Sequence, residues 1–234
     1  MEKKDAALLF GYNEYSLEIK KSIAYKFDNI ELFSLEENEE SNKFDLSDEW
    51  LELEEKFDMD KSVVFCVLQD DATNIFLTLS LRAKFKKLKI IAFCKNKEGA
   101  HKLTLAGADK VIPLVQTTAS MISDMLRKPI VTKVMHGILY EKSDLKISQI
   151  CVEKDASFIG KHPFEVNWGK EFGIIVLSIM QDDINSSFIY SSKAKHKAIK
   201  NGDILIVVGY DNKIIEFESL IGSQCEVDWG NWSR

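Results

Sequence analysis

Three clusters in this 234-residue sequence carry residue types that could do chemistry. The first is Gly11-Tyr12-Asn13-Glu14-Tyr15-Ser16, directly after the apolar run Ala6-Ala7-Leu8-Leu9-Phe10. A glycine-rich turn at that place lets the backbone close on a pyrophosphate at a helix N-terminus, where orphan N–H groups and the helix dipole favour an anion. Only the first glycine of a G-x-G-x-x-G pattern stands here, because Asn13 holds a side chain where the pyrophosphate would approach and Glu14 adds negative charge. NAD or another nucleotide is therefore disfavoured, and Gly11 also reads as the tight turn of an inherited scaffold. The second cluster, Glu36 and Glu37, lies where a ribose-binding carboxylate would sit, although a solvated acidic loop is the simpler reading. The third, Asp70-Asp71, follows the apolar run 63–68. Acids there face the crevice at the carboxyl ends of a parallel sheet, and with Glu36 and Asp45 they could hold a hard cation through oxygens. The simpler alternative is that Asp70 or Asp71 caps the helix that follows.

Catalytic constellations are lacking. His101, His136, His162 and His196 show no metal-ligand spacing, and neither a G-x-S-x-G nor a G-x-x-x-x-G-K-[ST] motif occurs. No metal and no catalytic residue is assigned, and the chain is expected not to be an enzyme. Cys66, Cys94, Cys151 and Cys225 lie far apart without CxxC spacing, which reads as buried reduced thiols plus one cysteine in the tail.

The elements that must position these clusters alternate in type. Short apolar runs at 6–10, 30–34, 63–68, 88–93 and 110–113 are separated by segments of helical period, as repeated βαβ units require. Residues 63–68 are apolar on both faces, as a central parallel strand must be. Between the second and third runs lies a very acidic stretch, 36–55, in which Ser47 or Asp48 could cap a helix holding Trp50, Leu51 and Leu53. The fold class expected is α/β: a Rossmann-like doubly wound parallel sheet, then a helical linker and a smaller α+β C-terminal domain. The expected boundaries are 1–117, 118–143 and 144–222, with a tail at 223–234.

In the linker, Met121, Ile122, Met125, Leu126, Val134 and Ile138 form an apolar stripe interrupted at Pro129, where a kink or break near Lys128 is expected. Such a stripe serves as core or as a face for a second subunit. Strand-like runs at 147–152, 174–180, 188–190 and 204–209 follow, with an Asn201-Gly202 turn before the last and a closing helix capped by Asp211.

Composition narrows the partners. With 37 acids against 31 bases the net charge is -6, and the signs are interleaved, so no basic field exists to grip nucleic acid. No apolar run approaches the roughly 18 residues of a membrane span, and no signal peptide is evident. The polypeptide is expected to be soluble and intracellular.

Several stretches together resemble the RCK (regulator of potassium conductance) domains, of TrkA-N and TrkA-C type, found in prokaryotic potassium channels. Residues 9–18, with Gly11-Tyr12-Asn13-Glu14, resemble the opening of the channel-linked members. Residues 64–75, 90–92 and 102–112 look like the family's fourth strand, its following helix and its most recognisable stretch. Phe158-Ile159-Gly160-Lys161, Gly173-Ile174-Ile175-Val176 and the segment 201–209 resemble its C-terminal module. The resemblance implies a cytoplasmic regulatory domain, controlling potassium flux through a channel pore at the inner face of the membrane. It also implies homodimers formed through the kinked helices and assembled into a ring, an octamer being the form the resemblance suggests. A separate regulatory subunit of a potassium uptake transporter is the runner-up, and an NAD-dependent oxidoreductase the competing class. In calcium-gated members acidic ligands come from the fourth and fifth strands; Val67, Phe93 and Lys95 stand there instead, so that calcium site is expected to be absent. The gating ligand stays unnamed, and its candidate residues are Gly11, Asn13, Glu14, Ser16, Glu36, Asp70 and Asp71.

Overall fold

A computed structural model describes residues 4–140, 143–153, 156–180, 186–188 and 197–221, with the side chains of all but 140 and 186–188. The chain divides into two compact units, the first running through Ser123 and the second beginning at Asp124.

The first unit is built on six parallel strands: β1 (Ala7–Phe10), β2 (Ile30–Ser34), β3 (Asn42–Lys43), β4 (Val63–Cys66), β5 (Lys89–Cys94) and β6 (Lys110–Pro113). Their order, β3-β2-β1-β4-β5-β6, reverses direction between β1 and β4. That reversal opens a crevice at the carboxyl ends of β1 and β4, which is where doubly wound sheets take ligands. Every residue of β1 is buried, because helices cover both faces of a central parallel strand. The connecting helices are α1 (Glu14–Ile23), α2 (Leu51–Lys56), α3 (Asp71–Lys84) and α4 (Lys97–Ala106). The doubly wound fold expected from the sequence is borne out.

The acidic stretch departs from expectation in two ways. Asn42 and Lys43 add an edge strand, and Ser47 and Asp48 do not cap α2. Their side chains instead close a local turn on Asp45, with Ser47 donating to Asp45 Oδ1 from both N (2.8 Å) and Oγ (2.6 Å), and Asp45 N donating to Asp48 Oδ2 (2.9 Å). Trp50 takes the N-cap position in a left-handed conformation, φ 58°, without a side-chain cap. Its indole fixes it there: Nε1 donates to Ser80 Oγ (2.8 Å) and the ring meets Phe10 edge-on. Phe10 also stacks on Phe33, at 4.7 Å between centroids. Apolar members of an otherwise acidic segment thus seal one face of the sheet.

The second unit carries an antiparallel sheet of β7 (Leu145–Cys151), β8 (Ile174–Met180), β9 (Ser186–Phe188) and β10 (Ile204–Tyr210), in the order β7-β10-β8-β9. The short helix α7 (Trp168–Glu171) and the longer α8 (Asp211–Ile221) supply Trp168, Ile214, Phe217 and Ile221 to the core over its inner face. Asp211, expected as the cap of α8, is its first residue, and its N–H donates to Asp144 O (2.8 Å). The strand expected at 188–190 is placed at Ser186–Phe188; residues 189–190, Cys225 and the tail 223–234 lie outside the described residues.

Two linker helices, α5 (Leu114–Arg127) and α6 (Pro129–Tyr140), are separated by the single residue Lys128. Pro129 lacks the donor that would continue the ladder, yet Lys128 N bonds Asp124 O (2.8 Å) and Thr132 N bonds Lys128 O (2.9 Å). The result is an interruption of one residue, as the proline position predicts. Among the described residues no helix is long and apolar enough to cross a membrane.

Cys66 and Cys94 are free and buried, as expected, and burial pushes the Cys66 thiol up to about 12. Cys151 corrects the expectation of reduced thiols throughout, because it is disulfide-bonded. It ends the edge strand β7 and is half-buried.

Candidate functional site

The crevice between β1 and β4 is closed by the chain's own side chains. Gly11 sits at φ +124° with its N–H on Phe33 O (2.8 Å). A Cβ there would lie 2.8 Å from both the carbonyl carbon and oxygen of Val67, so only glycine lets the two strand ends approach this closely. Asn13 is the N-cap of α1 and part of a capping box: its Oδ1 accepts from Ser16 N (3.2 Å), while Ser16 Oγ accepts from Asn13 N (3.0 Å). The same side chain crosses the crevice, with Nδ2 donating to Val67 O at 2.6 Å.

Asn74, on the first turns of α3 and 1% exposed, closes the neighbouring gap between β4 and β5. Its Nδ2 donates to Leu68 O (2.8 Å) and Phe93 O (3.1 Å), and its Oδ1 accepts from Leu68 N (3.0 Å). Both amide hydrogens and the carbonyl are thereby used within the protein. On the β2 side, the Tyr12 hydroxyl donates to the Glu40 carboxylate, and that hydrogen bond raises the tyrosine's pKa.

The structure separates the sequence candidates by role. Gly11, Asn13 and Ser16 meet at the crevice mouth, Glu14 is exposed on the first turn of α1, and Glu36 is exposed beyond β2. Asp70 caps α3, accepting from Thr73 N (2.8 Å) and Thr73 Oγ1 (2.7 Å). Asp71 accepts from Lys95 N (3.2 Å) and lies against Gly99, tying α3 to the start of α4. Val67 and Phe93 present carbonyls already bonded to Asn13 and Asn74. Among the described residues no group of three or more His, Cys, Asp or Glu side chains is placed to hold a metal ion. Asn74 and the Tyr12–Glu40 contact were missed by the sequence reading, since both depend on partners in other elements.

Hydrogen bonds from the Thr73 hydroxyl, then from its backbone, hold the Asp70 carboxyl below its ordinary value. A folded pKa below the unfolded one makes this contribution complete above the unfolded value, about 4, and lost as pH falls through the folded value. Asp70→Ala is therefore expected to lower the urea midpoint at neutral pH, with the difference from wild type shrinking below about pH 4. A gap that stays constant down to acid would contradict the capping role.

The linker helices carry the other candidate surface. No residue of α5 is buried, and Met121, Ile122, Met125 and Leu126 are all exposed. On α6, Ile130, Val131, Val134, Met135 and Leu139 are exposed, while Ile138 is half-buried.

Comparison with known proteins follows the same lines. Residues 52–114 match the TrkA-N domain. The chain is 23% identical over 240 aligned positions to the probable potassium channel protein 2 of Methanocaldococcus jannaschii, covering 93% of this chain and 67% of that protein. The solved human SLO3 gating ring is similar in fold, with TM-score 0.64 at 10% identity, over 93% of this chain and 45% of that one. The crystal structure of the GsuK RCK domain aligns over 92% of this chain and 46% of its own, with 17% identity and TM-score 0.48. The chain thus spans less than half the length of these solved chains. The resemblance read from the sequence is borne out by the TrkA-N match and by the channel relative.

Proposed function

We propose that this chain, with its TrkA-N match at 52–114, is a regulatory domain that controls potassium conductance as a homodimer within a gating ring. The observation that carries the reading is similarity along 93% of the chain to a potassium channel protein. The unburied apolar face of α5 and α6 supports pairing, since exposure of so many large apolar side chains on consecutive helices is unfavourable in water. Pairs would assemble further at the inner face of the membrane, and a ligand would gate the pore only by binding one ring shape better than another.

The reading is non-enzymatic. The crevice holds capping and bridging amides with no acid-base pair, and nothing supports the oxidoreductase alternative. A nucleotide would have to displace Asn13 from Val67 O, and calcium would find bonded carbonyls at Val67 and Phe93, so neither is proposed as the gating ligand. The pore is either on a longer form of the same chain or on a separate transporter subunit.

Liposomes holding the membrane protein that copurifies with this chain should show rubidium flux that changes when the chain is removed. Unchanged flux would sink the reading. Calorimetry against NAD, ATP and calcium should show no binding; micromolar NAD affinity with hydride transfer would favour the oxidoreductase instead.

A further inference from the structure

The sequence holds four cysteines, of which Cys66 and Cys94 are free and Cys151 is disulfide-bonded. Within the chain that leaves Cys225 as the partner of Cys151. Cys225 lies outside the described residues, yet both ends of the span it must bridge are placed. Ile150 and Val152 belong to the core shared with Phe217 of α8, so Cys151 between them turns to the opposite face of the sheet. Two residues on, Glu153 N donates to Ile221 O (2.9 Å), the carbonyl of the last residue of α8. Cys225 follows Ile221 by four residues, which reach at most about 14 Å, and the step from Glu153 back to Cys151 is only about 7 Å. The chain beyond α8 can therefore round the edge of the sheet and bring the two cysteines to the Cα separation of about 4.4–6.8 Å that a disulfide needs.

That edge is β7, whose one strand neighbour among the described residues is β10. An unpaired edge offers its free backbone groups to any other strand. The face of the sheet onto which Cys151 turns is apolar beside it: Ile147 stands opposite Val208, and Val208 opposite Ile175, which is 56% exposed. Cys66 and Cys94, at 0% and 2% exposure, are shielded from a reductant, whereas Cys151 is half-buried.

We infer that a Cys151–Cys225 disulfide fastens the start of the C-terminal tail across the edge of β7, and that reduction by a dithiol releases the tail and opens that edge. One thiolate of the reductant attacks a cysteine sulfur and the Cys151–Cys225 bond breaks; its second thiolate then resolves the mixed disulfide. The reductant leaves as a disulfide, and both cysteines end as protonated thiols. On the regulatory reading above the chain works where thiol reductants are abundant, and a disulfide that forms there is of the redox-sensing kind. That last step alone rests on the regulatory reading; the pairing and its release are measured without a pore.

To test the inference, the full chain is oxidised with glutathione disulfide, alkylated without reductant and digested with trypsin. The peptides 147–154 and 214–234 are expected joined through Cys151 and Cys225. Dithiothreitol added to the folded protein before alkylation should separate them, with Cys66 and Cys94 alkylated only after denaturation. Amide hydrogen exchange over 145–151 should then run several-fold faster, and Cys225→Ser should show the fast exchange with or without dithiothreitol. Separate alkylated peptides after oxidation overturn the inference, as does a joined pair whose halves come from two differently isotope-labelled chains. So does a link that resists dithiothreitol until the protein is denatured, or exchange over 145–151 that neither reduction nor Cys225→Ser moves.

Discussion

Glutamate at both Met125 and Val134 is expected to convert the proposed dimer to a monomer while leaving the fold of each chain intact. Both side chains are exposed in the single chain, at 43% and 53%, so charge there disturbs no intrachain packing. In a two-fold pair the same face meets itself, and each substitution enters the interface twice. An uncompensated buried charge costs about 3–5 kcal/mol, so even two of the four charges introduced raise the dissociation constant about 10⁴-fold or more. Sedimentation velocity gives the mass and circular dichroism checks the fold. A wild-type chain that stays monomeric at high concentration, or a double variant that keeps the dimer mass, would refute pairing through α5 and α6.

Gly11→Ala is expected to cost about 2–6 kcal/mol, a large part of an ordinary domain's margin. Left-handed backbone at φ +124° is strained for a residue with a Cβ, by about 1–3 kcal/mol. The new methyl also meets the Val67 carbonyl at 2.8 Å, and that carbonyl cannot yield without parting β4 from β1, an overpacking cost of about 1–3 kcal/mol. Gly160→Ala is the control. It has φ +82° and nothing within 4 Å of the added Cβ, so only the backbone cost of about 1–2 kcal/mol applies. Denaturant melts of the two variants should differ accordingly, and equal losses would mean that the close strand approach is not what requires glycine.

The sequence made legible those features whose signal lies in a single element. β1 and β4 announce themselves because a strand buried on both faces must be apolar throughout. Gly11 marks the first turn, and Pro129 marks the interruption between the linker helices. β3 could not be read, since it is only two residues long and neither Asn42 nor Lys43 is a strand-forming type. The start of α2 was misplaced because Trp50 is held by Ser80, a residue 30 positions away. The bridge from Asn13 to Val67 joins residues 54 apart, and its capping half is visible in sequence where its crossing half is not. Cys151 was misread for a related reason: spacing along the chain says little about which sulfurs a sheet edge makes reachable.

Two asparagines stitch the carboxyl ends of β1, β4 and β5 into one hydrogen-bonded seam. A cleft left open for a ligand can breathe, and its walls bend separately when something enters or leaves. A seam closed by the chain's own amides removes that compliance, so the parallel sheet behaves as a stiff plate. Force applied at one edge of such a plate would emerge at the other with little lost to deformation.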